Sequence, residues 1–197
     1  MALAVRRNEA LLEAEQQACQ RYESEATMLH AACLGRSSDF RYHPGYADFE
    51  QRCAADVKNI TSAIGRFEVT SEGSVFSGHG CGIFVLGSLN AEAGEFIGFE
   101  YCYPGFISTS SERRIAEEDF IEKRARRGTR PMLLEFKLPV GMAVLDFGQV
   151  TNSVGEFEYL IARGQRFTIV DANFYKLRGV SDLVLHLVME PPKDGSS

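Results

Sequence analysis

The chain has 197 residues and a mass of 21.9 kDa, enough for one substantial core plus at most a helical appendage. Hydrophobic residues at 45% and charged residues at 24% give an ordinary globular balance and exclude a chain disordered throughout. A net charge of −6 and a pI near 5.3 exclude a protein devoted to gripping a phosphate backbone, so no nucleic-acid partner is expected.

From Ala2 to Leu34 the sequence is rich in Ala, Glu, Leu and Gln, lacks Gly and Pro, and stops at Gly35, which predicts one long helix or two short ones. The start, "MALAVRRNEALLEAEQQ", carries charges where a signal peptide needs an apolar stretch, and is not expected to be one. No apolar run approaches the roughly 18 to 20 residues that span a bilayer, so no membrane partner is expected. Ala47 to Ile64 predicts a second helix ending at Gly65. Short β-rich runs follow from Arg66: "RFEVT", "SVFSG", "GIFVLG", "EFIGFEY" and "GFISTS". A helix interrupts them after "STSSERR", with Ser111 as its expected cap and Ile115, Ala116, Phe120, Ile121 and Ala125 as its stripe before Gly128.

Strands resume with "MLLEFKL", "MAVLDF", "EFEYLIA", "RFTIVDANFYKL" and "DLVLHLVME", the last apolar on both faces and therefore central. Helices first and strands after, with little βαβ alternation, predict an α+β fold of mostly antiparallel sheets. Three segments are expected: a helical region over 1–64, a main domain over 65–190 and a disordered tail over 191–197. Cys19, Cys33, Cys53, Cys81 and Cys102 are an odd number with no CxxC pair, and are expected to be reduced, mostly buried thiols of a cytosolic environment. His30, His43 and His186 are read as structural.

"GEFEYLIARGQRFTIV" places Glu156 and Glu158 two residues apart at the start of a strand, so both project to one face. They could form an exposed polar face, a metal site, or a carboxylate pair serving one reaction. Spacing alone favours the exposed face, and too few oxygen ligands stand nearby for a hard cation, so no metal is expected. A glycosidase is excluded, because its catalytic carboxyls lie about 5 Å or more apart with the sugar between them. The company of the pair is more telling. "GFISTSSER" puts Ser108 and Ser110 on one strand face and Thr109 on the other, and hydroxyls at a strand end can fix a carboxylate rotamer. "SVFSGHG" is an apolar strand ending in Gly-x-Gly, where backbone can approach a ligand closely.

The segments "VFSG", "GFISTSSE" and "GEFEYLIARGQRFTIV", in that order, resemble the arginine-specific mono-ADP-ribosyltransferases, the Arg-Ser-Glu class that includes bacterial toxins and effectors. The resemblance spans about Arg66 to Met189. It implies two packed, mostly antiparallel sheets around an NAD cleft, with NAD as substrate and no metal. It also implies that Glu158 stabilises the sugar cation as the glycosidic bond breaks, that Ser108 orients Glu158, and that Glu156 engages an acceptor guanidinium. Ser77, Gly78, His79, Ser108, Thr109, Ser110 and Glu158 become the expected NAD-binding residues. "FGQVTNSVG" matches the target-choosing loop of such enzymes, and "EKRARRGTR" stands where they carry a loop against the nicotinamide phosphate, unless it is simply a solvated helix face.

The sequence departs from that pattern at one position. Where the family has an arginine after the aromatic residue, to hold NAD phosphate, this chain has Ser77. His79 shares a strand face with Ser77 and is one candidate substitute; Arg66, Arg113 and the Arg124 to Arg130 cluster are others. The helical region is expected to pack beside the cleft, or else to serve as a docking arm. The implied function is transfer of ADP-ribose to an arginine of a target protein by a monomeric effector delivered into a host cytosol. The alternative is a transferase-like binding module whose NAD site has decayed at Ser77.

Overall fold

The computed structural model of the chain describes residues 3–80, 92–121, 131–151, 158–180 and 182–192. It opens on a strand rather than on the expected helix: β1, Ala4–Arg7, pairs antiparallel with β2, Phe67–Ser71. Leu3 and Val5 gain burial on the sheet core, which outweighs the modest helix preference of so short a segment. Helix α1 then spans Glu13–Cys33 and α2 spans Tyr46–Ile64. The start of α1 is tied to the end of α2 through Glu15, which accepts hydrogen bonds from Leu12 N (2.8 Å), Ser62 Oγ (2.7 Å) and Arg66 Nε (2.7 Å). Burial works to raise its pKa, but those bonds outweigh it and hold the carboxyl below the usual range.

The remaining strands are β3 (Gly73–Gly80), β4 (Glu100–Cys102), β5 (Ile107–Ser110), β6 (Pro131–Leu138), β7 (Val144–Asp146), β8 (Glu158–Ile161), β9 (Arg166–Lys176) and β10 (Leu183–Glu190). Among the described residues they form one eight-stranded set in the order β4-β9-β10-β6-β3-β5-β8-β7, in which only β6 and β10 run parallel. The two expected sheets are therefore joined, and the join is a single residue pair, Phe76 of β3 with Ser110 of β5. Either side of this seam the halves fold toward each other. Ile107, Val144 and Ile161 of one half share a core with Phe136, Phe167 and Leu185 of the other. β10 lies inside the set, as its apolar faces require. Helices α1 and α2 cover the outer face of the β5-β8-β7 half, burying Tyr22, Leu29, Phe49 and Ile60 against Phe106, Leu145 and Leu160.

Several local expectations are corrected. "EFIGFEY" is a 3-10 turn, Ala93–Phe96, followed by the short edge strand β4, and Gly98 between them takes a left-handed φ of +90°. The helix after the serines, α3, runs Arg113–Ile115 and continues as a π-helix over Ala116–Ile121, flanked by Glu112 rather than capped by Ser111. It is Ser110 Oγ that accepts the Glu112 N–H, at 3.0 Å. Of the described cysteines only Cys19 is buried, where burial and the nearby Glu15 push its thiol up to about 12, whereas Cys102 is exposed. The strand expected at "GIFVLG", the segment "EKRARRGTR" and residues 193–197 of the tail lie outside the described residues. Among the described residues no helix is long and apolar enough to cross a membrane.

His186, on β10, meets one polar partner, Glu135 Oε2 on β6, at 3.0 Å. Glu135 also accepts from Ser74 Oγ at 2.8 Å and from Lys137 Nζ. The His186 hydrogen bond first, opposed by burial and aided by Lys137 and Ser74, holds the Glu135 carboxyl at about 2 against a usual 4.5. A depressed carboxyl stabilises the fold above its unfolded-chain pKa, and that contribution is lost as pH falls through the folded value. Glu135→Gln is thus expected to cost on the order of 2 kcal/mol at pH 7 in urea unfolding, with the two stability curves converging between pH about 4.5 and about 2.

Candidate active site

Strand alternation sorts the residues around the seam. On β5 and β8, Phe106, Ser108, Ser110, Glu158 and Leu160 face the helices, while Ile107, Thr109, Tyr159 and Ile161 face the inter-sheet core. Ser110 pairs directly with Glu158 and Ser108 with Leu160, so Ser108 and Glu158 are diagonal neighbours on one face, about 7 Å apart at Cβ and within reach of each other's side chains. Thr109 is turned to the other face, where its hydroxyl donates to Tyr159 O at 2.9 Å. Glu156 lies outside the described residues.

Beyond the seam the ladder between β3 and β5 stops, and a side chain continues it. Ser77, only 5% exposed, donates from Oγ to the Ser108 carbonyl at 2.7 Å. Its one proton is used there, so the 2.8 Å contact between Ser77 Oγ and His79 Nε2 requires the histidine nitrogen to donate. On the helix side, Tyr22 of α1 places its hydroxyl 2.9 Å from Ser108 Oγ and 2.8 Å from His30 Nε2. Burial, opposed by the Ser108 hydrogen bond and reinforced by the Glu158 carboxylate, pushes the Tyr22 hydroxyl well above the usual phenol range.

Ser77, His79, His30 and Ser108 border a cavity of about 440 Å³, whose other walls are Ala26, Thr27 and Ala31 of α1, Leu34, Arg36, Asp39 and Phe40, Gly78 of β3, Tyr103 and Phe106. A larger groove, about 630 Å³, opens at the far end of β3 between Glu72, Lys137 and Glu190, and none of Ser77, Ser108 and Glu158 lines it. Ser77, His79, His30 and Ser108 stand at the smaller cavity. The family profile for the ADP-ribosyltransferase exoenzymes matches residues 39–190. This chain belongs to the ADP-ribosyltransferase exoenzyme family.

Solved structures carry the same fold. Plx2a, an ADP-ribosyltransferase toxin from Paenibacillus larvae, superposes with a TM-score of 0.69 at 17% identity over 92% of this chain and 87% of that one. An ADP-ribosyltransferase from Clostridium botulinum gives 0.67 at 16% identity over 93% and 89%. The ADP-ribosylating toxin BECa of C. perfringens, solved with NADH, gives 0.68 at 17% identity over 92% of this chain and 44% of its own length. A comparison with curated protein sequences gives no match.

ADP-ribosyltransferases take NAD as their ADP-ribose donor, which puts weight on the cations that could meet its pyrophosphate. Arg66 and Arg113 are occupied elsewhere. Arg66 pairs with Glu9 (2.6 Å) and Glu15 (2.7 Å), and Arg113 pairs with Glu117 (2.9 Å) while lying over the Tyr175 ring. Neither borders the cavity; among the described residues the guanidinium that does is Arg36, paired with Asp39 at 2.8 Å. Residues of α1 form one wall of the cavity. His30, read from the sequence as structural, stands at that wall, and Tyr22, which the sequence did not single out, hydrogen-bonds to it. A signal for Tyr22 exists: it sits in the buried stripe Ala18, Cys19, Tyr22, Leu29, and a phenol buried in such a stripe must find a polar partner.

Proposed function

We propose that this ADP-ribosyltransferase moves ADP-ribose from NAD to the guanidinium of an arginine on a target protein. The observation that carries the reading is Ser108 held at both carbonyl and hydroxyl, on the same strand face as Glu158 and bordering the cavity. Cleavage of the bond between nicotinamide and ribose leaves positive charge on the sugar. A fixed carboxylate there stabilises the transition state more than the ground state. Glu158 supplies that anion, and nicotinamide departs with the bonding pair. A guanidinium nitrogen then attacks the ribose carbon and gives its proton to Glu156, a carboxylate able to grip the acceptor through two parallel hydrogen bonds.

A guanidinium acceptor is supported by the Glu-x-Glu order and by Vis, an ADP-ribosyltransferase of the same fold solved with agmatine, itself a guanidinium compound (TM-score 0.63, 16% identity, 96% of this chain and 79% of that one). Its toxin-type relatives support an effector acting on a protein of a host cell. Ser77 favours a second reading, a binding module that has lost NAD. Against this, its hydroxyl is built into the site through two hydrogen bonds. The two separate on titration with NAD and measurement of nicotinamide release: turnover supports the enzyme, and no binding at millimolar NAD supports the module. Glu156→Gln is expected to lower transfer to agmatine about 10- to 100-fold, the worth of one charged hydrogen bond, while NAD hydrolysis persists. Equal loss of both reactions would assign Glu156 a different role.

A further inference from the structure

The Tyr22 ring is 1% exposed and cannot swing: Phe147 stacks on it at 5.7 Å and Phe106 meets it edge-on at 6.1 Å. Its hydroxyl therefore stays between His30 Nε2 and Ser108 Oγ, in a chain of two hydrogen bonds that runs in one of two directions. If Tyr22 donates to His30, Ser108 must donate to Tyr22 and turns lone pairs toward the carboxylate side, which an anion disfavours. If His30 Nε2–H donates to Tyr22, then Tyr22 donates to Ser108, and the Ser108 proton is left for the carboxylate. Ser108 cannot relieve the conflict by shifting its backbone, because Ser77 holds its carbonyl at 2.7 Å.

We propose that Tyr22 and His30 are positioning residues of the transferase, which orient the Ser108 hydroxyl as a donor toward Glu158, so that the N-terminal helix completes the catalytic constellation. The proposal rests on the reading of Glu158 as the catalytic carboxylate. The charged and titratable groups around the chain are Glu158 from β8, Tyr103 from the segment after β4, Cys33 from α1, and, along the same cavity, His79 and the Arg36–Asp39 pair. The buried phenol keeps its proton through the physiological range, as a relay donor must.

Two measurements on the full chain test this. In nitrogen-labelled histidine spectra, assigned by comparison with His30→Gln, the His30 Nε2 is expected to carry the proton; an unprotonated, accepting Nε2 overturns the proposal. In nicotinamide release, Tyr22→Phe is expected to lower kcat about 10- to 100-fold with KM changed less than about twofold, the scale of a misplaced catalytic group. The Tyr22→Phe/Ser108→Ala double variant is expected to be no slower than Ser108→Ala alone; additive losses overturn the coupling. Should Tyr22→Phe fail to fold, His30→Gln, which keeps an N–H donor, is expected to exceed His30→Leu at least about tenfold, and equal rates overturn the proposal. A wild-type chain that releases no nicotinamide would sink the enzyme reading, while the histidine spectra still decide the direction of the proton chain.

Discussion

Glu158→Gln is expected to lower kcat for nicotinamide release by about 10²- to 10³-fold or more, with KM nearly unchanged and the fold intact. Glutamine keeps the volume of the side chain and a carbonyl acceptor but removes the charge. The substitution therefore isolates electrostatic stabilisation of a sugar cation from mere contact. Glu158 is half-buried at the first residue of β8 and takes no part in the hydrophobic cores, so thermal unfolding should barely move. On the proposed mechanism the effect belongs in kcat, because the charge Glu158 would oppose exists only as the glycosidic bond breaks. On the mechanism proposed above, Ser108→Ala should cost less than Glu158→Gln, since it removes a hydroxyl beside the anion and not the anion itself. A Glu158→Gln variant retaining more than about a tenth of the parent rate would mean that the carboxylate does not face developing charge.

The facing of the Ser-Thr-Ser segment was legible because strand alternation is local: Ser108 and Ser110 on one face and Thr109 on the other follow from spacing, and the ladder reproduces it. The limits of α2 and the central place of β10 were legible for the same reason, through periodicity, stop residues and two-sided apolarity. What escaped depends on partners distant in sequence. Ala4 to Arg7 is a strand because β2, some sixty residues on, offers it a ladder. The Tyr22–Ser108 hydrogen bond was hidden because its partners lie 86 residues apart. The joined sheet was hidden likewise, since one pair, Phe76 with Ser110, makes the seam. That seam explains where the cavity lies: β3 and β5 part immediately beyond it, and the diverging strands leave room that α1 roofs over.

Arg21→Met is expected to destabilise the chain by about 3 kcal/mol, a cost in the range measured when one partner of a buried ion pair is removed. Asp56 of α2 is 1% exposed and accepts three hydrogen bonds, two from Arg21 of α1, at Nε (3.1 Å) and at Nη2, and one from Arg52 Nη1 (3.1 Å). Arg52 is itself shared with Glu25 of α1, at 2.7 Å from Nη1 to Oε2, so it cannot turn wholly to Asp56. Without Arg21 a buried carboxylate keeps a single, divided partner, and the penalty comes from the stranded charge more than from the lost attraction. The double variant Arg21→Met/Asp56→Leu removes the charge as well and is expected to recover at least half of the loss in urea unfolding. A double variant as unstable as the single one would show that the pair itself holds α1 to α2. The consequence reaches the site, because Tyr22 follows Arg21 on the same helix: one face of α1 is pinned to α2 while the next side chain meets Ser108. Nicotinamide release should therefore fall with the single variant near its melting temperature and return with the double one. If release instead stayed low in a restabilised double variant, the register of α1 over β5 would depend on this ion pair and not on the apolar packing around Tyr22.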